Sequence, residues 1–119
     1  MSLETFFGAW GETDAGPRAA AIADAMAPQF TYSDPRSGAR ITDLDALTDY
    51  VSQFSANAPG WTASVAASDA ANGFTRALVA FGGMGPDGSE MIQHGTYFAE
   101  LDGDGRIVTL AGFVGKEIG

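Results

Sequence analysis

The sequence contains no cysteine. Disulfides, thiolate nucleophiles and cysteine-based zinc sites are excluded together. It has one histidine, His94, so no multi-histidine metal centre can form within a single chain. Basic residues are scarce as well: six Lys and Arg stand against fifteen Asp and Glu, a formal net charge of -9. A surface this acidic repels phosphate backbones and anionic headgroups, which argues against nucleic acid and membrane surfaces as partners. No stretch reaches the roughly 18 apolar residues that a spanning helix needs. The first fourteen residues carry Glu4 early and no basic cluster, unlike a signal peptide, so the expected compartment is the cytoplasm. No metal and no cofactor is expected. Carboxylates, hydroxyls, aromatic rings and backbone amides remain as the available chemistry.

What is present suits one folded domain over residues 1–119: 45% of the residues are hydrophobic and 11% aromatic. Neither an internal repeat nor an interdomain linker is visible. Ser2 is placed to cap a helix whose apolar residues Leu3, Phe6, Phe7 and Trp10 recur at helical spacing. Pro17 suits the first position of a second helix, Ala-rich through Ala27, with Ile22 and Met26 on one face and Pro28 as its stop. Residues 29–34 alternate apolar and polar, a short strand ending at Asp34-Pro35. Thr42 and Asp45 read as a capping box for a third helix with Leu44, Leu47, Val51 and Phe54 on one face. The second half reads as strands: Trp61 to Ser68, the turn Asn72-Gly73, Phe74 to Phe81, a glycine-rich turn over 82–88, Glu90 to Leu101, the turn 102–105, and Arg106 to Val114. Three helices followed by an antiparallel meander is an α+β order, not βαβ alternation.

Most motif-like features have plain readings. Asp102-Gly103-Asp104-Gly105 lacks the terminal Glu and flanking helices of a calcium loop and reads as a hairpin turn. Gly82-Gly83-Met84-Gly85 lacks the Lys and following helix of a phosphate loop and reads as a turn. Alternation groups His94 with Ile92, Thr96 and Phe98, and both rows of that strand carry large apolar residues. The strand is expected to be buried on both faces, one in the core and the other in a subunit contact. Asp34 shares a strand face with Phe30 and Tyr32. Either it points into the same interior, where an apolar setting would make it a better proton acceptor, or Asp34-Pro35 merely opens a turn.

Taken in order, these segments resemble a known superfamily. Ala9-Trp10-Gly11-Glu12-Thr13-Asp14 closes the first helix, Phe30-Thr31-Tyr32-Ser33-Asp34-Pro35 is a strand ending in Asp-Pro, and Gly38 and Pro59-Gly60 bracket the third helix. Gly95-Thr96-Tyr97-Phe98-Ala99-Glu100-Leu101-Asp102 followed by Gly105-Arg106-Ile107 completes the pattern. It is similar to the nuclear transport factor two-like superfamily, within it the SnoaL-like and ketosteroid isomerase-like proteins. The resemblance implies a cone: a curved, largely antiparallel mixed sheet wrapped around three helices from the N-terminal half. It also implies that Asp34 is a base shuttling protons beside a ketone. The family's helix-one tyrosine donor falls on Phe6, and the acid/base Asp of its polyketide cyclases falls on Tyr97. Tyr97 can still donate a phenolic proton, with Tyr32 or Tyr50 as a second donor.

Three readings follow. In the first, a cofactor-free isomerase or aldol-type cyclase uses Asp34 and Tyr97 catalytically, with Trp10, Phe30, Tyr32, Tyr50 and Trp61 binding a flat hydrophobic small molecule. In the second, the same pocket binds without turnover. In the third, which is compatible with either, the outer sheet face with His94, Thr96 and Phe98 meets its twin in a homodimer.

Overall fold

The computed structural model describes residues 2–117. It contains α1 (Ser2–Trp10), α2 (Ala15–Ala25), β1 (Met26–Ser33), α3 (Leu44–Asn57), β2 (Thr62–Ala71), β3 (Phe74–Met84), β4 (Glu90–Leu101) and β5 (Ile107–Val114). The strands form one sheet in the order β1-β5-β4-β3-β2. Only the β1–β5 pair is parallel; the rest is an antiparallel meander. The architecture is the expected α+β cone of three helices and a five-stranded mixed sheet.

The core lies where the helices fill the inner face of the sheet. Leu3, Phe6, Phe7 and Trp10 all turn inward from α1, as their spacing requires. They meet Ile22 of α2, Leu47 and Val51 of α3, and Val79, Tyr97 and Leu110 of the sheet. Alternation along β4 buries Gly95, Tyr97 and Ala99 and leaves Phe98 and Glu100 outside. Asn72 and Gly73 both have positive φ, 53° and 87°, the type I′ geometry that lets β2 return directly as β3.

Several boundaries depart from the sequence expectation, each for a local reason. Ser2 lies within α1, and its hydroxyl donates to the Gly105 carbonyl of the β4–β5 turn instead of capping its own helix. Helix α2 begins two residues before Pro17, which sits in the first turn, where its missing N–H has no helical acceptor to lose. Pro28 does not end a helix but lies inside β1. It is tolerated because β1 is an edge strand and its register with β5 slips between Met26 and Thr31. The cap of α3 is Asp43, whose carboxylate accepts from the Ala46 N–H at 2.8 Å, and Leu44 beside it stays exposed. Strand β2 runs on to Ala71, and β3 absorbs Gly82, Gly83 and Met84, confining the turn to residues 85–89. In a single chain β4 is buried on one face only: Ile92 and Phe98 are 57% and 45% exposed.

Arg18 ties the helices together. It is 6% exposed, and its guanidinium donates to the Ser52 and Ser55 hydroxyls of α3 and to the Glu12 carbonyl after α1. Among the described residues no carboxylate pairs with it; the ion pair there is Arg76 with Asp69, on the surface. Replacing Arg18 with Leu leaves the Glu12 carbonyl without that donor, and we expect a stability loss of about 1–3 kcal/mol, read as a lower urea midpoint at unchanged slope.

Candidate functional site

The end of β1 and the turn after it build an acceptor site around one carboxylate. Asp34 leaves the strand as residue one of a turn, and its Oδ1 accepts from the backbone N–H groups of Arg36 and Ser37, both at 2.8 Å. The hydroxyl of Tyr32, two residues back and fully buried, donates to Oδ2 at 2.5 Å. Tyr50, on the facing side of α3, brings its hydroxyl within 2.6 Å of Oδ1 and 2.7 Å of Oδ2. The two alternatives for Asp34 are thus both realised: it opens a turn and it faces the interior. Its surroundings are not bare hydrocarbon, however. Two phenols and two amides hold the carboxylate, and Oδ2 is bonded by phenols alone.

The chain has three tyrosines, and all three meet here. Burial pushes the Tyr32 hydroxyl well above its ordinary value, and the charges of Tyr97 and Asp34 add to it. Burial is also the main cause of the upward shift of Tyr50, reinforced by its hydrogen bond to Asp34. Tyr97 is raised by burial too, opposed by the neighbouring Tyr32 hydroxyl and raised further by the Asp34 charge. A folded-state value above the unfolded one means that the native state holds the proton more tightly. The associated stability is therefore complete below about pH 10, the ordinary phenol value, and is lost as pH climbs above it. Titration of absorbance near 295 nm should give no native tyrosinate at pH 10, with ionisation arriving together with alkaline unfolding.

Asp34, Tyr50 and Tyr97 border a cavity of about 770 Å³ inside the cone. Trp10, Phe54, Trp61 and Phe81 supply aromatic wall. Arg36, Gln53, Asn57 and Gln93 add polar groups. Tyr97 and Trp61 are seated on glycines. A Cβ at Gly112, the cross-strand partner of Tyr97, would lie 2.3 Å from that ring, and one at Gly83 would lie 2.5 Å from the Trp61 ring. Trp61 is fixed further by its indole N–H, which donates to the Met84 carbonyl at 3.1 Å.

The structure thus brings Asp34, Tyr97, Trp10, Tyr50 and Trp61 to one cavity, with two of the expected residues elsewhere. Phe30 belongs to the core and is not part of the lining, and Tyr32 lies behind Asp34 with no exposed surface. His94 reaches the rim of the inner cavity at mid-strand, where it pairs with Ala80 of β3 and its carbonyl accepts from the Gly115 N–H at 2.8 Å. Phe54 and Phe81 are wall residues that the sequence reading placed in a helix and a strand but not at the site. The helical spacing of Phe54 with Leu47 and the alternation of Phe81 with Val79 are the signals that point to them. Among the described residues, no three His, Asp or Glu side chains converge to hold a metal ion.

Residues 3–110 match a family model described as a SnoaL-like domain. The fold is similar to that of a candidate isomerase of the SnoaL-like family from Agrobacterium tumefaciens. The TM-score is 0.79 at 25% identity, over 97% of this chain and 95% of that one. A protein from Catenulispora acidiphila with a ketosteroid isomerase-like fold, solved with trimethylamine, is similar at a TM-score of 0.73. It is 14% identical over 93% of this chain and 82% of that one. A candidate SnoaL-like polyketide cyclase from Jannaschia is similar at 0.71 and 15% identity, over 94% of this chain and 83% of that one. Among curated proteins, none matches this sequence.

Proposed function

Because the chain belongs to the SnoaL-like domain family, we propose that it binds a flat apolar small molecule in the cone and moves a proton beside that molecule's carbonyl group. Asp34 is the base and no cofactor takes part. The observation that carries this reading is that Asp34 and Tyr97 border one cavity of about 770 Å³ with aromatic walls. Oδ2 is the working oxygen, since the backbone amides engage Oδ1 only. The carbon–hydrogen bond breaks, its proton passes to Oδ2, and the electron pair moves through the carbon framework to the carbonyl oxygen. Once Asp34 is neutral, Tyr50 no longer has a charged acceptor and can turn toward the ligand. The enolate then takes the proton back at another carbon, as in an isomerase, or attacks a second carbonyl whose new alkoxide takes the proton from Oδ2, as in an aldol-type cyclase. Tyr97, kept protonated by burial, is a hydrogen-bond donor there and not an acid.

One observation favours a second reading, a binding protein without turnover. Four donors occupy the Asp34 carboxylate, and each one competes with an incoming proton. Solvent deuterium exchange into 2-acetylnaphthalene separates the two. Exchange at the methyl group catalysed by the protein supports the first reading, and tight binding with no exchange supports the second.

The outer sheet face supports a homodimer. Phe98 and Phe113 stack edge to face at 6.0 Å and are 45% and 56% exposed, above a groove that Thr96 and Leu78 also line. Covering this patch with its twin removes it from water by the isologous contact that a two-fold pair makes. Sedimentation as a monomer at micromolar concentration would rule this out. No described helix is long and apolar enough to cross a membrane.

A further inference from the structure

Among the described residues, two formally charged side chains line the cavity, Asp34 and Arg36. Four donors hold the Asp34 carboxylate, and Arg36 gives it only a backbone N–H. The Arg36 guanidinium makes no hydrogen bond and no ion pair among the described residues. Arg18, by contrast, is bonded to two serines and a carbonyl, and Arg76 is paired with Asp69. The charge of Arg36 also falls on the cavity side of its turn. Burial raises the Tyr50 and Tyr97 hydroxyls, and the Arg36 charge pulls both back down. Arg40, four residues on, is not part of the lining and acts on neither tyrosine.

The topology gathers further polar groups at the same end of the cone. Strands β1 and β5 are parallel and finish together, beside the N-terminal half of β4. Arg36 follows β1 there, and Gln93 lies there in the β4 row of Tyr97. Gln53 and Asn57 come one and two turns after Tyr50 on the same face of α3. These four residues are exposed, whereas Trp10 and Tyr97 in the same lining are buried. The cavity thus runs from an aromatic interior to a rim of side-chain amides and one unpaired guanidinium. The planar fork of a guanidinium matches a carboxylate, which can accept two parallel hydrogen bonds from it.

We propose that the bound small molecule carries a carboxylate at the end away from its ketone, and that the Arg36 guanidinium holds this carboxylate at the rim. The substrate class is then an aryl keto acid, with its ring system among Trp10, Phe54 and Phe81. The ketone half of this assignment rests on the reading of Asp34 as base; the carboxylate half does not. A net charge of -9 fits such a ligand. One carboxylate can reach Arg36 alone, whereas a polyanion would also have to lie across acidic surface.

The test uses the full chain and two probes of one shape, 6-acetyl-2-naphthoic acid and its neutral primary amide, with affinities measured by calorimetry at pH 7. Wild type should bind the acid about five- to tenfold more tightly, a modest preference because the rim is open to water. Arg36→Gln should abolish that preference by weakening the acid and leaving the amide nearly unchanged. Arg36→Lys, which keeps the charge without the fork, should retain part of it. Arg40→Gln should retain all of it. Equal affinities for acid and amide in the wild type, equal losses for the two probes in Arg36→Gln, or the same loss in Arg40→Gln overturns the proposal. A wild type that binds neither probe overturns it too. Selective binding of the acid through Arg36 with no deuterium exchange at its acetyl group removes Asp34 as base and leaves the carboxylate site standing. Exchange without any preference for the acid does the reverse.

Discussion

Replacing Asp34 with Asn should lower protein-catalysed deuterium exchange into a bound ketone by about 10²–10⁴-fold, the range in which a positioned general base contributes. The substitution is informative because it separates the two halves of the acceptor site. The amide oxygen can still take the Arg36 and Ser37 N–H groups, so the turn after β1 has what it needs to persist. The amide nitrogen accepts nothing, so the hydroxyls of Tyr32 and Tyr50 lose the oxygen on which they converge. Since Tyr32 is fully buried, losing the charged acceptor for its hydroxyl hydrogen adds a stability loss of about 1–3 kcal/mol, visible as a lower unfolding midpoint. A binding protein without turnover would show that stability loss as well, but it would have no exchange to lose. Asp34→Asn retaining full exchange would remove Asp34 as the base whatever its stability.

Gly112→Ala should damage the site from the sheet floor on which Tyr97 rests. A Cβ there falls 2.3 Å from Cε2 and 2.7 Å from Cζ of Tyr97. The ring has little room to retreat, since Gly95 approaches its other edge, where a Cβ would sit at 3.0 Å from Cε1. Tyr97 must leave its rotamer or β4 and β5 must part, at about 1–3 kcal/mol for an overpacked position. The displaced phenol moves within the cavity, and an error of about 1 Å in a positioned group costs on the order of 10²-fold in rate. Thermal unfolding and exchange measured on one preparation check both effects. Because the loss is steric, adding Tyr97→Leu should restore most of the stability and none of the exchange, a coupling that independent sites would not show.

Sequence patterns made the layered order of the fold legible because they are local. The inward residues of α1 and the alternation of β4 follow from periods of 3.6 and two, and Asn72-Gly73 supplies the positive φ values that its hairpin needs. The site was legible only as far as it too is local. Asp34 and Tyr32 share a strand face two residues apart, and their contact follows from the pleat. Tyr50 reaches the same carboxylate from sixteen residues away, which depends on how α3 docks against β1. The seating of Tyr97 on Gly112 depends on cross-strand register, and that register shifts between Glu100 and Leu101. The surplus of hydrogen-bond donors on Asp34 was hidden for the same reason. Backbone amides of a turn leave no trace in residue identity.

The glycines beneath Tyr97 and Trp61 also settle which wall of the cone is open to redesign. Each ring rests on main chain, at Gly112 and Gly83, and main chain cannot be trimmed to let a ring sink further. On the sheet side, depth is set by strand geometry, and smaller neighbours would add no room. The opposite wall is built from side chains, with Gln53, Phe54 and Asn57 projecting from α3. A change of ligand range, by laboratory selection or by divergence among relatives, would therefore be written in α3 while the sheet stayed the same.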